Sequence, residues 1–217
     1  MKATLIGASG LVGGELLKLL LEDNNFQEIR ILVRRSLGIK HPKLNECIID
    51  FQDENAYQSS ILEGSVVFSC IGTTNKKVNG DWDLYRTIDF DITVNGARFA
   101  HHHHCTHFIF VSAIGANKNS GNAYLQLKGH VEKNIEFQHL PRVFALRPSL
   151  LIGKRNEFRL GEKLAQIIMP IFNLLIPYSY KAITAHQVAT KMISLSHSTA
   201  MGFHIVEGKS LFQVENV

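Results

Sequence analysis

The sequence predicts an α/β fold, a doubly wound parallel sheet with helices on both faces. Three observations carry the prediction. Short, nearly continuous apolar runs recur along the chain, separated by amphipathic helical patterns, which is how strands buried on both faces read. The first run breaks at a glycine turn that opens directly into a helical pattern. Length and composition suit one such domain: 217 residues, 45% hydrophobic and 19% charged, supply a full core to a soluble globular chain.

Ala3–Ile6 reads as the first strand and Gly14–Leu21 as the helix after it. Ile29–Val33, Cys47–Ile49 and Ser65–Cys70 read as the next three strands, followed by His107–Ser112 and Arg142–Arg147. Helical spacing predicts helices over Ala56–Ile61, Thr87–His103 and Asn122–Phe137. Residues 1–153 then form the nucleotide-binding core, and residues 154–217 a small substrate or lid portion packed on the same domain. That portion contains Leu164–Ile176, an apolar helical pattern interrupted by Pro170, then a helix at Ala185–Leu195 and a strand at Phe203–Glu207. The apolar run is short and its flanks hold few cations, which favours contact with the crevice or a partner subunit over a membrane.

Gly7, Gly10 and Gly13 stand in G-x-x-G-x-x-G spacing between the first strand and its helix. The pattern suits a pyrophosphate. Gly7 permits the sharp turn, Gly10 lets the backbone approach the phosphates, and Gly13 lets the helix lie close on the sheet. The helix end presents unpaired N–H groups and the positive end of its dipole. Gly7, Ser9, Gly10, Leu11, Val12 and Gly13 are therefore the expected phosphate-side contacts of a dinucleotide.

The second strand exits into Arg34 and Arg35, where an NAD-preferring site usually carries a carboxylate. A guanidinium fork pairs with a 2′-phosphate, so NADP(H) is expected over NAD(H). Asp50 and Phe51 end the third strand, where an acid can hold the adenine amino group or simply cap a helix. Cys70, Ile71, Gly72 and Thr73 follow the fourth strand and can let ribose and phosphate pass close to the backbone. Cys70 reads as a small strand residue rather than a nucleophile.

Tyr124 and Lys128 are four residues apart and share a helix face. An ammonium beside a phenol lowers the phenol's pKa toward working pH, as a general acid/base requires. Ser112 closes the fifth strand and can point its hydroxyl into the same crevice, where it would steady the charge growing on a carbonyl oxygen.

These motifs occur in order along most of the chain: GASGLVG at Gly7–Gly13, RR at Arg34–Arg35, CIGTT at Cys70–Thr74 and SAIGAN at Ser112–Asn117. YLQLKG at Tyr124–Gly129, ALRPSLLIGKR at Ala145–Arg155 and RLGE at Arg159–Glu162 complete the set. Together they resemble the short-chain dehydrogenase/reductase superfamily in its atypical, NAD(P)H-binding Rossmann branch, and within it the HTATIP2-like oxidoreductase group. The resemblance implies Ser112, Tyr124 and Lys128 as the catalytic set, with Lys128 also holding the nicotinamide ribose. It implies backbone around Pro148 and Leu150 beside the nicotinamide. For the asparagine that some relatives add, Asn95 lies in the right general helix.

The formal charge of +4 is mild and its cations are scattered, so no nucleic-acid surface is expected. Cys47, Cys70 and Cys105 are far apart, as in a reducing compartment. With no secretory h-region and no membrane-length apolar stretch, a cytoplasmic protein is expected. His101–His104 cannot all face one ion on a helix and read as a solvated helix end, so no metal is assigned. The expected activity is an NADP(H)-dependent oxidoreductase acting on a small carbonyl or alcohol, with the helix Asn122–Phe137 as a two-fold interface if the chain dimerises. The alternatives are an NADP(H)-binding regulatory or scaffold protein and, less favoured, a nucleotide-sugar epimerase.

Overall fold

The computed structural model describes residues 1–74, 77–152 and 181–213. Seven parallel strands form one sheet: β1 Lys2–Ile6, β2 Glu28–Val33, β3 Leu44–Ile48, β4 Val66–Ser69, β5 His107–Val111, β6 Arg142–Arg147 and β9 Gly202–Glu207. Their order is β3-β2-β1-β4-β5-β6-β9. The order reverses between β1 and β4, where an open α/β sheet leaves a crevice at the strands' carboxyl ends. Ile6 pairs with Ser69, so the loops leaving these two strands emerge side by side.

Alternation along each strand builds two cores. Leu5, Ile31, Phe68, Ile109 and Leu146 face one side, under α1 (Leu11–Glu22) and α6 (Ala185–Leu195). Leu32, Val67, Phe108 and Ala145 face the other, under α2 (Glu54–Ser59), α4 (Ile92–His102) and α5 (Ala123–Glu136). Each large apolar side chain buried this way contributes about 1.5–3 kcal/mol. Asp53 caps α2, Asn122 caps α5, and Thr184 with Gln187 forms a capping box on α6.

Two departures from the sequence reading matter for the site. The helix expected over Thr87–His103 begins as a π-helical turn, Thr87–Asp91, and continues as α4. Just before it lies a helix not anticipated, α3 (Trp82–Arg86), capped by Asp81 and too short to show a period. Residues 181–213 are part of the main body: β9 extends the sheet beside β6, and α6 shares the core of α1. A two-residue ladder of β7 (Leu151–Ile152) with β8 (Ile183–Thr184) leads into α6. The expected apolar helix Leu164–Ile176 lies outside the described residues. No helix among the described residues is long and apolar enough to cross a membrane.

Candidate active site

At the switch point the backbone itself forms a cradle. Gly7 adopts φ +89°, and a Cβ there would stand 2.9 Å from the Cys70 carbonyl. The turns after β1 and β4 therefore pack backbone on backbone. A Cβ on Gly13 would lie 2.1 Å from the Gly7 oxygen, so the first turn of α1 sits directly against the end of β1. Gly10 closes the turn by donating to Gly7 O at 3.0 Å and is the N-cap of α1, with no side chain capping that end. Ser9 and Gly10 are exposed, Leu11 is half-buried and Val12 is buried. A cradle lined by N–H groups, free of side chains at Gly10, fits a pyrophosphate. Across from it Gly72 faces open space.

Arg34 and Arg35 are exposed at the exit of β2, and neither makes an ion pair among the described residues. The neighbouring carboxylate, Glu46, is taken up by the Ser36 hydroxyl and the Leu37 N–H. Asp50 is exposed and accepts from Gln52 N, while the cap of α2 is Asp53. Phe51 lies edge-on to Tyr57 at 4.9 Å. Cys70 is not set up as a nucleophile: burial pushes its thiol up, and its sulfur rests 3.8 Å from Met192 Sδ.

Lys128 is buried in α5, and its ammonium meets Asp89 at 2.8 Å in the π-helical turn. Asp89 is fully buried, and its other oxygen accepts from Thr73 N at 2.7 Å. One carboxylate thus links the lysine to the loop after β4. π-Helical turns are frequent at functional sites, and here the turn carries the acid into the protein. Burial works to lower the Lys128 pKa, but Asp89, Tyr124 and Glu132 raise it, and the net direction is up.

Tyr124 stands one helical turn before Lys128 with its ring partly in solvent. The expectation of a lowered phenol is corrected here: burial raises its pKa, Lys128 lowers it, Asp89 raises it again, and the phenol ends above its ordinary value. Burial outweighs the lysine's pull. Tyr85, the buried residue of α3, lies edge-on to Tyr124 at 6.4 Å and donates its hydroxyl to Thr73 O at 3.3 Å.

Ser112 also differs from expectation. Its hydroxyl, buried, donates to Glu132 Oε1 at 2.6 Å instead of opening into the crevice. Glu132 in turn takes a two-pronged contact from Arg147, at 2.9 and 2.6 Å, and Arg147 also reaches Glu207 at 3.1 Å. A buried carboxylate with a guanidinium fork is a strong acceptor, and it holds the serine. Pro148 is buried and its carbonyl accepts from Ile114 N, while Leu150 is exposed. Asn95, half-buried in α4, accepts from Arg98 at 3.2 Å.

Asp89, Glu132, Arg147 and Tyr85 escaped the sequence reading. A signal existed for the acids. Asp89 shares the buried stripe of Thr93, Ala97 and Ala100, and Glu132 that of Lys128, Val131 and Ile135. An acid on a stripe that is otherwise buried implies a buried cation nearby. No group of three or more metal-ligating side chains comes together among the described residues. A hollow at the amino ends of β1, β2 and β4, lined by Met1, Lys2, Gln27, Glu28, Glu63 and Gly64, carries none of this chemistry.

Comparison with known proteins agrees with the geometry. Residues 7–156 match the family described as NAD(P)H-binding. Protein HTATIP2 of Rattus norvegicus is 34% identical over 165 residues, covering 75% of this chain and 67% of that protein. Protein FMP52-1, mitochondrial, of Scheffersomyces stipitis is 33% identical over 160 residues, covering 72% and 70%. Among solved structures, UDP-N-acetylglucosamine 4-epimerase from Methanobrevibacter ruminantium superposes with TM-score 0.71 at 18% identity over 95% of this chain and 76% of that one. MoeE5 with UDP-glucuronic acid and NAD gives 0.74 at 14% over 96% and 76%. Likeness at that identity concerns the fold alone. The chain belongs to the NAD(P)H-binding family, with HTATIP2 and FMP52 as relatives, and its fold is Rossmann-like.

Proposed function

We propose that the chain is an NADP(H)-dependent oxidoreductase interconverting a small-molecule carbonyl and its alcohol. The observation that supports this most is the surrounding of Tyr124. Its ring reaches solvent one turn before a buried Lys128–Asp89 pair, and the same Asp89 is bonded to the loop beside the glycine cradle. The pyrophosphate would lie on Gly7, Ser9, Gly10, Leu11, Val12 and Gly13, with the 2′-phosphate on Arg34 and Arg35. The adenine would meet Asp50 and Phe51, the central ribose and phosphate Cys70–Thr73, and the nicotinamide end Lys128, Pro148 and Leu150. When bound, NADPH supplies the hydride that turns the carbonyl into an alcohol. Tyr124 gives its proton to the carbonyl oxygen and recovers it from water. The phenol holds its proton at neutral pH, and bound cofactor and substrate must bring its raised pKa down toward working pH. Ser112 must leave Glu132 to donate to the substrate oxygen.

Titration with NADPH and NADH, followed by nucleotide fluorescence, tests the cofactor. NADPH is expected to bind more tightly, and Arg34→Ala to weaken it about tenfold, about 1.4 kcal/mol; equal binding of both nucleotides removes the NADP(H) preference. Tyr124→Phe is expected to abolish carbonyl reduction with NADPH affinity retained, and full turnover would refute its role.

A second reading, an NADP(H)-binding regulatory protein with little turnover, is favoured by one observation: the Ser112 hydroxyl is already committed to Glu132. Tight NADPH binding with no reduction across a carbonyl panel would establish it. For location we propose the cytoplasm, a reducing compartment in which Cys47, Cys70 and Cys105 stay as thiols; the fungal relative is named mitochondrial, and subcellular fractionation distinguishes the two. For a homodimer, α5 is the proposed two-fold face, tested by sedimentation.

A further inference from the structure

Leading outward from the proposed catalytic Tyr124, three aromatic rings form a continuous line. Trp82, the first residue of α3, packs on Tyr85 with ring centres 4.9 Å apart and planes tilted by 57°. Tyr85 meets Tyr124 edge-on at 6.4 Å and 83°. The middle ring is buried and fixed, because its hydroxyl donates to Thr73 O in the loop after β4. The two end rings keep surface toward solvent, Trp82 at 47% exposure and Tyr124 at 37%. Leu84, at 44%, adds a further apolar side chain to the same short helix. The carboxylates Asp81 and Asp83 flank Trp82 in the chain, and the nearby Arg86 guanidinium lies over the Phe90 ring at 5.1 Å.

We infer that this aromatic line is the substrate wall of the site, and that it selects a flat, uncharged aromatic aldehyde or ketone whose carbonyl reaches the Tyr124 hydroxyl. The inference rests on the oxidoreductase reading and deepens it. An aromatic face offers a planar group offset-stacked or edge-on contact over a large area. Acids beside Trp82 discourage an anionic substrate such as a sugar nucleotide. A short aliphatic aldehyde, by contrast, reaches Tyr124 without touching Trp82.

Trp82 is the sole tryptophan, so its emission reports on the wall directly. NADPH binding is measured first by the nucleotide's own fluorescence. Then 2-naphthaldehyde and butanal are titrated separately into protein saturated with NADP+, a combination that cannot turn over. The expected result is saturable quenching of Trp82 by 2-naphthaldehyde and none by butanal. In turnover, Trp82→Ala is expected to lower kcat/KM for 2-naphthaldehyde about tenfold more than for butanal, with Trp82→Phe recovering most of the difference. Absence of saturable quenching, or equal losses on both aldehydes, overturns the proposal. A protein that binds NADPH yet fails these tests leaves the oxidoreductase reading standing. A protein that binds no NADPH overturns both.

Discussion

The two halves of the crevice are built from different materials. The half at β1 and β4 is backbone: Gly7, Gly10 and Gly13 pack main chain on main chain, with a Cβ on Gly13 only 2.1 Å from the Gly7 oxygen. The half at α4, α5 and β6 is side-chain charge: Lys128 with Asp89, and Ser112 with Glu132 and Arg147. A backbone cradle depends on the absence of side chains and fails by crowding. A buried charge cluster depends on every partner being present and fails by orphaning.

Substitutions in each half should separate these modes of failure. Asp89→Ala leaves an ammonium buried without its carboxylate and should cost about 3–5 kcal/mol in urea unfolding. A loss below about 1 kcal/mol would mean that Lys128 reaches water, and the contrast between the halves would weaken. Gly13→Ala should cost about 3 kcal/mol by overpacking, because the neighbour is backbone and cannot turn aside. NADPH affinity should fall with it; full affinity would show that α1 can shift without harm to the cradle.

The smallest expected effect is on pH. The net Lys128 pKa is raised from its ordinary 10.5, so its contribution to stability is fully present below 10.5. That contribution is lost as pH rises through the higher folded value. Alkaline titration of the melting temperature should therefore show a loss above 10.5 that Asp89→Asn reduces. Identical curves for the two proteins would place the alkaline transition elsewhere.

The same division explains what could be read in advance. Glycines declare a backbone requirement at their own positions, and the turn at Gly7–Gly13 lies in one stretch of chain. The strands at β1, β2, β5 and β6 were legible because burial on both faces leaves continuous apolar runs. The start of β3 was not, because Asn45 and Glu46 are polar residues on an edge strand whose place is set by pairing with β2. Tyr124 and Lys128 were legible as a pair because four residues make one helical turn. Their protonation balance was not, because it depends first on how deeply the fold buries them and then on Asp89, which comes from a different helix.

By itself, then, the sequence determined a doubly wound sheet, a glycine cradle at its first turn, and a tyrosine–lysine pair on one helix face. Each is a local requirement, written in residues adjacent in the chain or one helical turn apart. Only the tertiary structure decided that Lys128 answers to Asp89, that the Ser112 hydroxyl belongs to Glu132, and that Trp82, Tyr85 and Tyr124 form one line. It also decided that β9 completes the sheet beside β6. Those choices follow from burial: once a charge or hydroxyl leaves water it must take the partner that the fold brings within about 3 Å, and sequence distance does not say which partner that is.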